Sequence, residues 1–478
     1  MRKAYITHQN NRSWQCSIDT QIWMRYSNTR VKVSLTIFSY FKTLNMLLQY
    51  QEFQDLYDAV AELLADEANR KDLIACGQSV YCLFESTLEQ ISTSTSFEQL
   101  LIKAKSLTGF SNEAVLLYHF KDVPVHWRRM MMDAGLLKVM IQLKSILEHQ
   151  KQQQQQTDFK ALEPQVQSII SDLDTCSVVS GSPGPDRRFL ANIILEKLQN
   201  WLTNGRSDDQ PTFKKTKLLK EPINTLPRPQ ISNPIRRFTE PPSFEWFLEY
   251  CNQAVPPPFI ISEGVIDHWP AFNEHPWSSM DYLKSVAADR VVPVEIGSQY
   301  TDANWSQKMM RFSDFINQHI LQQEGAPAYL AQHDVFYQIP RLEKDIIIPD
   351  YCYIEPKLTE LYTSHAHDVI KNAWFGPKGT VSPLHQDPYH NLLCQVVGSK
   401  YLRLISPLQS DLVYPREGLM TNTSQVDIDR VDSNQFPRFK DANYVDCILE
   451  EGQVLYIPPK WWHYVKSLET SFSVSLWF

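Results

Sequence analysis

None of the eight cysteines in the 478-residue chain forms a CxxC pair; Cys16, Cys76, Cys82, Cys176, Cys251, Cys352, Cys394 and Cys447 are scattered. This spacing excludes a zinc ribbon or a thioredoxin-like redox site. With neither a dense cysteine framework nor a secretory signal, an intracellular protein with reduced thiols is expected. Long hydrophobic runs are missing too: none reaches the roughly 20 apolar residues of a membrane span, and Val33–Leu48 is broken by Lys42 and Asn45. There is no surplus of basic charge, the formal net charge being −8 and the pI about 5.9. A protein held to nucleic acid by its overall field is therefore not expected, whereas a basic partner is compatible. Acid is scarce in one place, Asp19 being the only one in residues 1–45. A transit-peptide-like leader and an unstructured extension both fit that stretch, and the extension is preferred.

What is present points to a globular protein of two or three domains, with 43% hydrophobic and 21% charged residues. Residues 46–202 read as a helical domain. Segments such as Leu136–Leu147 and Phe189–Leu202 repeat apolar residues at spacings of three and four. Gln152–Gln156 and Ser180–Pro185 interrupt it as loops. His119 and His126 sit among apolar and aromatic residues and read as core or surface histidines. Residues 203–235 read as a linker containing four prolines from Pro222 to Pro234 and the cluster Lys214-Lys215-Thr216-Lys217. That cluster fits a solvated surface better than a nuclear import signal. From 236 to 478 short β-like runs dominate. Asn391–Val397 and Lys400–Ser406 flank Gly398-Ser399, which predicts a type II′ hairpin. Gly452–Pro458 and Ser471–Trp477 are further strands. The expected fold is an all-β jelly roll with flanking helices, preceded by an α-helical N-terminal domain.

His385 and Asp387 are two residues apart, so in an extended segment they point to one face. Alone, His-x-Asp is a weak motif. His463 strengthens it. It ends the run Gly452-Gln-Val-Leu-Tyr-Ile-Pro-Pro-Lys-Trp-Trp-His463, in which a turn glycine, an apolar strand and a proline stop would return the imidazole to a barrel mouth. Two histidines and a carboxylate make the facial triad of non-haem iron(II), although zinc accepts the same ligands. Lys400 shares a strand face with Leu402 and Leu404. If that face is interior, the ammonium needs an anion such as a bound dicarboxylate; otherwise it reaches solvent beside the turn. Ser382 and Asn391 flank the triad segment and can donate to the same anion. The rival cluster His365-Ala-His367-Asp368 lacks a supporting strand and reads as an exposed loop.

The runs Asn372-Ala-Trp-Phe-Gly-Pro, Ser382-Pro-Leu-His385-Gln-Asp387-Pro, Gly398-Ser-Lys400-Tyr, Ile457-Pro and Trp462-His463-Tyr-Val resemble those of JmjC-domain oxygenases. Val292-Pro-Val-Glu295, Tyr300-Thr-Asp, Trp305-Ser-Gln, Tyr329-Leu-Ala-Gln332-His and Ile348-Pro-Asp-Tyr-Cys extend the likeness over Arg236 to Phe478. A fainter likeness in the helical half includes Asp122-Val and Trp127-Arg-Arg; residues 1–45, the glutamine run and Lys357–Asp368 have no such counterpart. The resemblance implies Fe(II) on His385, Asp387 and His463. It implies 2-oxoglutarate held at its far carboxylate by Lys400, Tyr329, Asn391 and Ser382, with Trp477 near the cofactor pocket. It further implies a substrate pocket for arginine lined by Glu295, Trp305 and Trp374, where a carboxylate pairs with a guanidinium and an indole stacks on it. The expected activity is arginyl C-3 hydroxylation of a protein or peptide, with nuclear and possible cytoplasmic location. Alternatives are demethylation of histone methyl-lysine, divalent-metal-dependent peptidase action on histone tails, and a non-enzymatic scaffold that binds a partner through its helical half.

Overall fold

Helix formation in the first half follows from apolar residues gathered on faces that bury one another. The computed structural model describes residues 50–66, 70–94, 96–119, 121–152, 159–206, 228–297, 300–301 and 304–478. The expected extension at 1–45, most of the glutamine run and the Lys214–Lys217 cluster lie outside them. A helix over 50–65 is followed by helices Gln78–Gln90, Phe97–Leu116, Val125–Gln152, Phe159–Ser180 and Arg187–Arg206. Val125–Gln152 is buried without a break from Arg129 to Ile141, as befits a helix surrounded by others. The charge this buries is paired: Asp133 accepts from Arg187 at 2.9 Å and from Arg129 at 3.1 Å. The turn expected at Ser180–Pro185 separates the last two helices, with Gly181 and Gly184 at positive φ. The final helix continues through Arg206, past the expected boundary at 202. The end of the expected linker is seated on the β half, where the Ser232 and Asn233 amides donate to the Asp446 carboxylate.

The second half begins with β1 (Arg236–Phe238), β2 (Phe259–Ile261), β3 (Val291–Ile296), β4 (Ser306–Arg311) and β5 (Ala328–His333). It continues with β6 (Ile370–Gly376), β7 (Val381–His385), β8 (Asn391–Val397), β9 (Lys400–Ile405), β10 (Tyr444–Leu449), β11 (Val454–Ile457), β12 (Trp462–Ser467) and β13 (Ser471–Trp477). Two sheets result, ordered β1-β2-β11-β8-β13-β6-β5-β3-β4 and β10-β9-β12-β7. From β6 to β13 the chain passes back and forth between them, which is the jelly-roll path.

Alternation along each strand sorts side chains between layers. Leu393, Leu455 and Ile457 of the large sheet meet Leu402, Leu404, Cys447 and Leu449 of the small one, forming the core between the sheets. Their strand neighbours Leu392, Cys394, Val454 and Tyr456 face the other way. There they pack with Phe247, Met280 and Leu283 from the helices Phe244–Cys251 and Met280–Ala287. Ser243 and Ser279 cap these two helices by accepting from the Trp246 and Tyr282 amides.

The predicted hairpin at Gly398-Ser399 does not form. β8 pairs with β11 and β13, whereas β9 pairs with β10 and β12, so the two residues turn a corner from one sheet to the other. Glycine is needed there twice over. Its φ is +71°, and a Cβ would lie 2.2 Å from the Thr470 carbonyl oxygen. Gly398→Ala should therefore lower unfolding free energy by about 2–3 kcal/mol in urea titration, whereas Gly379→Ala, with open space around its Cβ position, should cost less.

Candidate metal and cofactor site

β7 and β12 run antiparallel with His463 directly opposite His385, and their ring centroids lie 4.2 Å apart. A register shift between His463 and Val465 bulges the strand beside the site, a common device for re-aiming a side chain. Asp387 follows two residues after His385. The segment carrying it is pinned by the Lys460 amide donating to the Asp387 carbonyl at 2.8 Å and the Gln386 amide donating to Asn422 at 2.9 Å. His385 Nε2 and His463 Nε2 approach Asp387 Oδ2 to 3.9 and 3.5 Å. Ligand atoms of the three residues lie within 4.8 Å of one another, and they are the set among the described residues arranged to hold a metal ion.

The hydrogen bonding behind each ring supports that use. His385 Nδ1 lies 2.7 Å from the Pro383 carbonyl oxygen, and His463 Nδ1 lies 2.9 Å from that of Trp461. A carbonyl only accepts, so each Nδ1 carries a hydrogen and each ring turns its Nε2 toward Asp387. Burial, then the neighbouring His463, pushes His385 down to about 4, which keeps it neutral at pH 7. Burial would raise the Asp387 carboxyl, but the contact with His463, then the neighbouring His385 ring and Lys460, outweigh it and hold the group below its ordinary value. Two imidazole nitrogens and a carboxylate thus converge, an arrangement a cation satisfies.

The triad opens into a cavity also lined by Tyr329, Trp374, Ser382, Asn391 and Lys400. Lys400 projects into the space between the sheets, as its alternation with Leu402 and Leu404 implies, and is 1% exposed. Its Nζ donates to the Tyr329 hydroxyl at 3.2 Å, and among the described residues no acid pairs with it. Burial pushes this ammonium down from 10.5 to about 7. Asn391 Oδ1 is buried and without a partner. A buried, uncompensated cation fits the carboxylate of a diacid, toward which Asn391 would turn its Nδ2 and not its Oδ1.

Other sequence-derived candidates fall around this cavity. Trp374 lines it, its indole donating to Ser475 Oγ at 3.0 Å. Trp477 lies opposite Asn391 on the β8–β13 ladder but is not among the lining residues. Glu295 and Trp305 are also outside the lining, although Glu295 is the ladder partner of Tyr329. The Glu295 carboxyl is raised by burial and partly lowered again by the Trp305 indole. His365, His367 and Asp368 lie exposed in a loop without strand structure.

Sequence reasoning missed Ser475 and the Tyr300–Thr423 pair. Ser475 was detectable from the alternation in Ser471-Phe-Ser-Val-Ser475-Leu-Trp477, which puts it on the Trp477 face. Tyr300 carries an oxygen 3.2 Å from Thr423 Oγ1, and Thr423 bridges to His385. Burial pushes the Tyr300 hydroxyl up to about 12, with Asp387 and Glu295 adding to the rise. No local pattern marked this long-range contact.

A family model described as a cupin-like domain matches residues 245–478. The chain is 50% identical over 238 residues to lysine-specific demethylase 8 of Xenopus tropicalis, covering 50% of this chain and 51% of that protein. It is 38% identical over 432 residues to lysine-specific demethylase 8 of Danio rerio, covering 88% of this chain and 97% of the relative. Jumonji C domain-containing protein 5 of Drosophila melanogaster is 40% identical over 269 residues, 54% of this chain and 64% of the fly protein. The match therefore spans about half the frog relative's length and nearly all of the zebrafish one's.

Two outcomes follow from the geometry. Asp387→Ala should weaken Mn(II) or Fe(II) binding by more than about 100-fold, measured by calorimetry, while circular dichroism shows the fold retained. If Lys400 holds a carboxylate of 2-oxoglutarate, binding requires its charged form. The affinity should be level below pH 7 and fall by up to about tenfold per unit above it, as a proton must be taken up. Lys400→Met should bind weakly with a flat profile. The sign of folding stability is opposite: between about 7 and 10.5 the unfolded chain binds the extra proton, so the burial penalty of Lys400 fades as pH rises.

Proposed function

The chain belongs to the JmjC family of cupin-like oxygenases, which depend on Fe(II) and 2-oxoglutarate, and from that premise we propose that it oxidises the N-methyl group of a methylated lysine in a protein substrate. The observation that carries the oxygenase part is the convergence of His385, Asp387 and His463 beside the buried Lys400. The lysine part rests on relatives named lysine-specific demethylase, among them one matched over 97% of its length. This reverses the order expected from the sequence and its resemblance, in which arginine came first.

In this reading His385, Asp387 and His463 hold the iron. Lys400 and Tyr329, with Ser382 and Asn391, hold the far carboxylate of 2-oxoglutarate. Bound together with dioxygen, the metal and diacid supply the oxidising power to replace a C–H hydrogen by hydroxyl. The chain's own residues orient and enclose. The apolar walls Leu393, Ile457 and Val465 exclude water from the cavity, while the Nδ1 contacts to Pro383 and Trp461 fix the ring planes of the ligands. Hydroxylation of an N-methyl carbon leaves an unstable hemiaminal that releases formaldehyde. The same oxidation at an ordinary side-chain carbon leaves a stable alcohol.

Arginyl C-3 hydroxylation is a second reading, favoured by the partly buried Glu295 carboxyl beside Trp305 and in register with Tyr329. A nuclear setting goes with a histone-like substrate. Among the described residues no helix is long and apolar enough to cross a membrane.

Mass spectrometry of methyl-lysine and arginine peptides incubated with the protein, Fe(II) and 2-oxoglutarate separates the readings. Loss of one methylene with formaldehyde release is expected. Gain of one oxygen on arginine would reverse the choice, shortened peptides would indicate hydrolysis, and no succinate with any peptide would leave a binding scaffold.

A further inference from the structure

The helix Phe159–Ser180 sends one carboxylate into the β half. Asp174 is fully buried and accepts two bonds from Arg290, at 2.8 and 2.7 Å, and one from the Val291 amide at 3.0 Å. Gln338 joins the cluster: its Nε2 donates to Asp174 at 3.0 Å and to the Val291 carbonyl at 2.7 Å. Its Oε1 lies 2.6 Å from His333 Nε2. Asp174 is thus tied to the first residue of β3 and, through Gln338, to the last residue of β5.

Those two strands carry Glu295 and Tyr329, each about 13 Å along its strand from the tied residue at the usual rise. β3 is laddered to β4 along all six of its residues, but the ladders that hold β5 are thin. β3 and β5 pair at only Glu295↔Tyr329 and Ile296↔Ala328, and the β5–β6 register shifts between Leu330 and His333. Gln332, inside that irregular stretch, has φ +45°. Ladder bonds alone therefore leave β5 weakly aligned, and the Asp174 cluster supplies its second anchor. The metal ligands lie elsewhere, on and just after β7 and on β12 of the small sheet.

We propose that Asp174 is a positioning residue through which the helical half holds β5 against β3 in the alignment that presents Tyr329, the ladder partner of Glu295, to the cavity. The idea rests on the reading of Tyr329 as a ligand of 2-oxoglutarate. A merely structural ion pair would stabilise the fold and leave ligand selectivity alone; a positioning role separates the two ligands.

The test uses the full-length chain with Mn(II) and 2-oxoglutarate as probes, at a temperature well below the melting point of each variant. Asp174→Asn should weaken 2-oxoglutarate binding five- to twentyfold and leave Mn(II) affinity within twofold of the parent. Hydrogen exchange at the β5 amides should quicken while that of β7 and β12 holds. Unchanged 2-oxoglutarate affinity in a folded variant overturns the proposal, as does an equal fall in both affinities. Should Asp174→Asn not fold, Gln338→Met keeps the Arg290 pair while cutting the path to His333, and the same two outcomes decide. Tyr329→Phe and Lys400→Ala serve as controls: if neither weakens 2-oxoglutarate, it is the cofactor-site reading that fails, whatever Asp174→Asn does.

Discussion

The placement of His463 directly across from His385 is the constraint on which the rest of the site depends. A slip of one residue along β12 would turn every side chain to the opposite face and separate the imidazoles. Two tryptophans guard against it. Trp461 lies in the core between the sheets, whereas Trp462 lies in the cluster on the outer face of the small sheet, with Leu384, Tyr401 and Ile405. The Trp462 indole also donates to Ser410 at 2.9 Å. Exchanging the two large rings between layers would disrupt both cores, so packing on either side holds the register that the metal ligands need.

Much of this was legible in the sequence because it depends on period two. His385 and Asp387 share a face by spacing, and Lys400 follows Leu402 and Leu404 into the interior. The strands Asn391–Val397 and Ser471–Trp477 were readable from their composition, and the structure gives them the same bounds. The partner of each strand was not readable. Every residue of β8 is buried, as are all but one of β9, so neither strand has a polar face to say which sheet it joins. Gly398-Ser399 suits a tight hairpin equally well, and only the approach of Thr470 shows why the chain turns a corner there. Asp174 left a trace that went unread. It follows Ile170 by four residues, on a helix whose buried stripe runs through Val166, Ile169, Ile170 and Leu173, and an acid on such a stripe needs a distant cation.

The rival histidines show what position adds to residue type. His365, His367 and Asp368 offer the same donors as the triad over a shorter span, yet they lie exposed in a loop. His385 and His463 have their far nitrogens committed to backbone carbonyls, whereas His365 Nδ1 meets the Tyr362 hydroxyl, which can donate or accept. Commitment of one nitrogen fixes where the other points, and it is this shell, more than the presence of imidazole, that makes a ligand.

The two sheets divide the chemistry. The small sheet, with the segment following β7, carries His385, Asp387, His463 and Lys400, so the candidate metal ligands and the buried ammonium belong to one rigid element. The large sheet closes the cavity from the other side with Asn391, Trp374 and Ser475, all on strands whose ladders are long. Tyr329 is the exception. It enters from β5, where the ladders are short and the register breaks. A structural change outside the jelly roll therefore has little purchase on the metal, whose supports are local. It reaches the cavity most readily along the strand that bears Tyr329 and its ladder partner Glu295. If Tyr329 holds the diacid as proposed, variation in the helical half adjusts that binding and leaves the triad as it is.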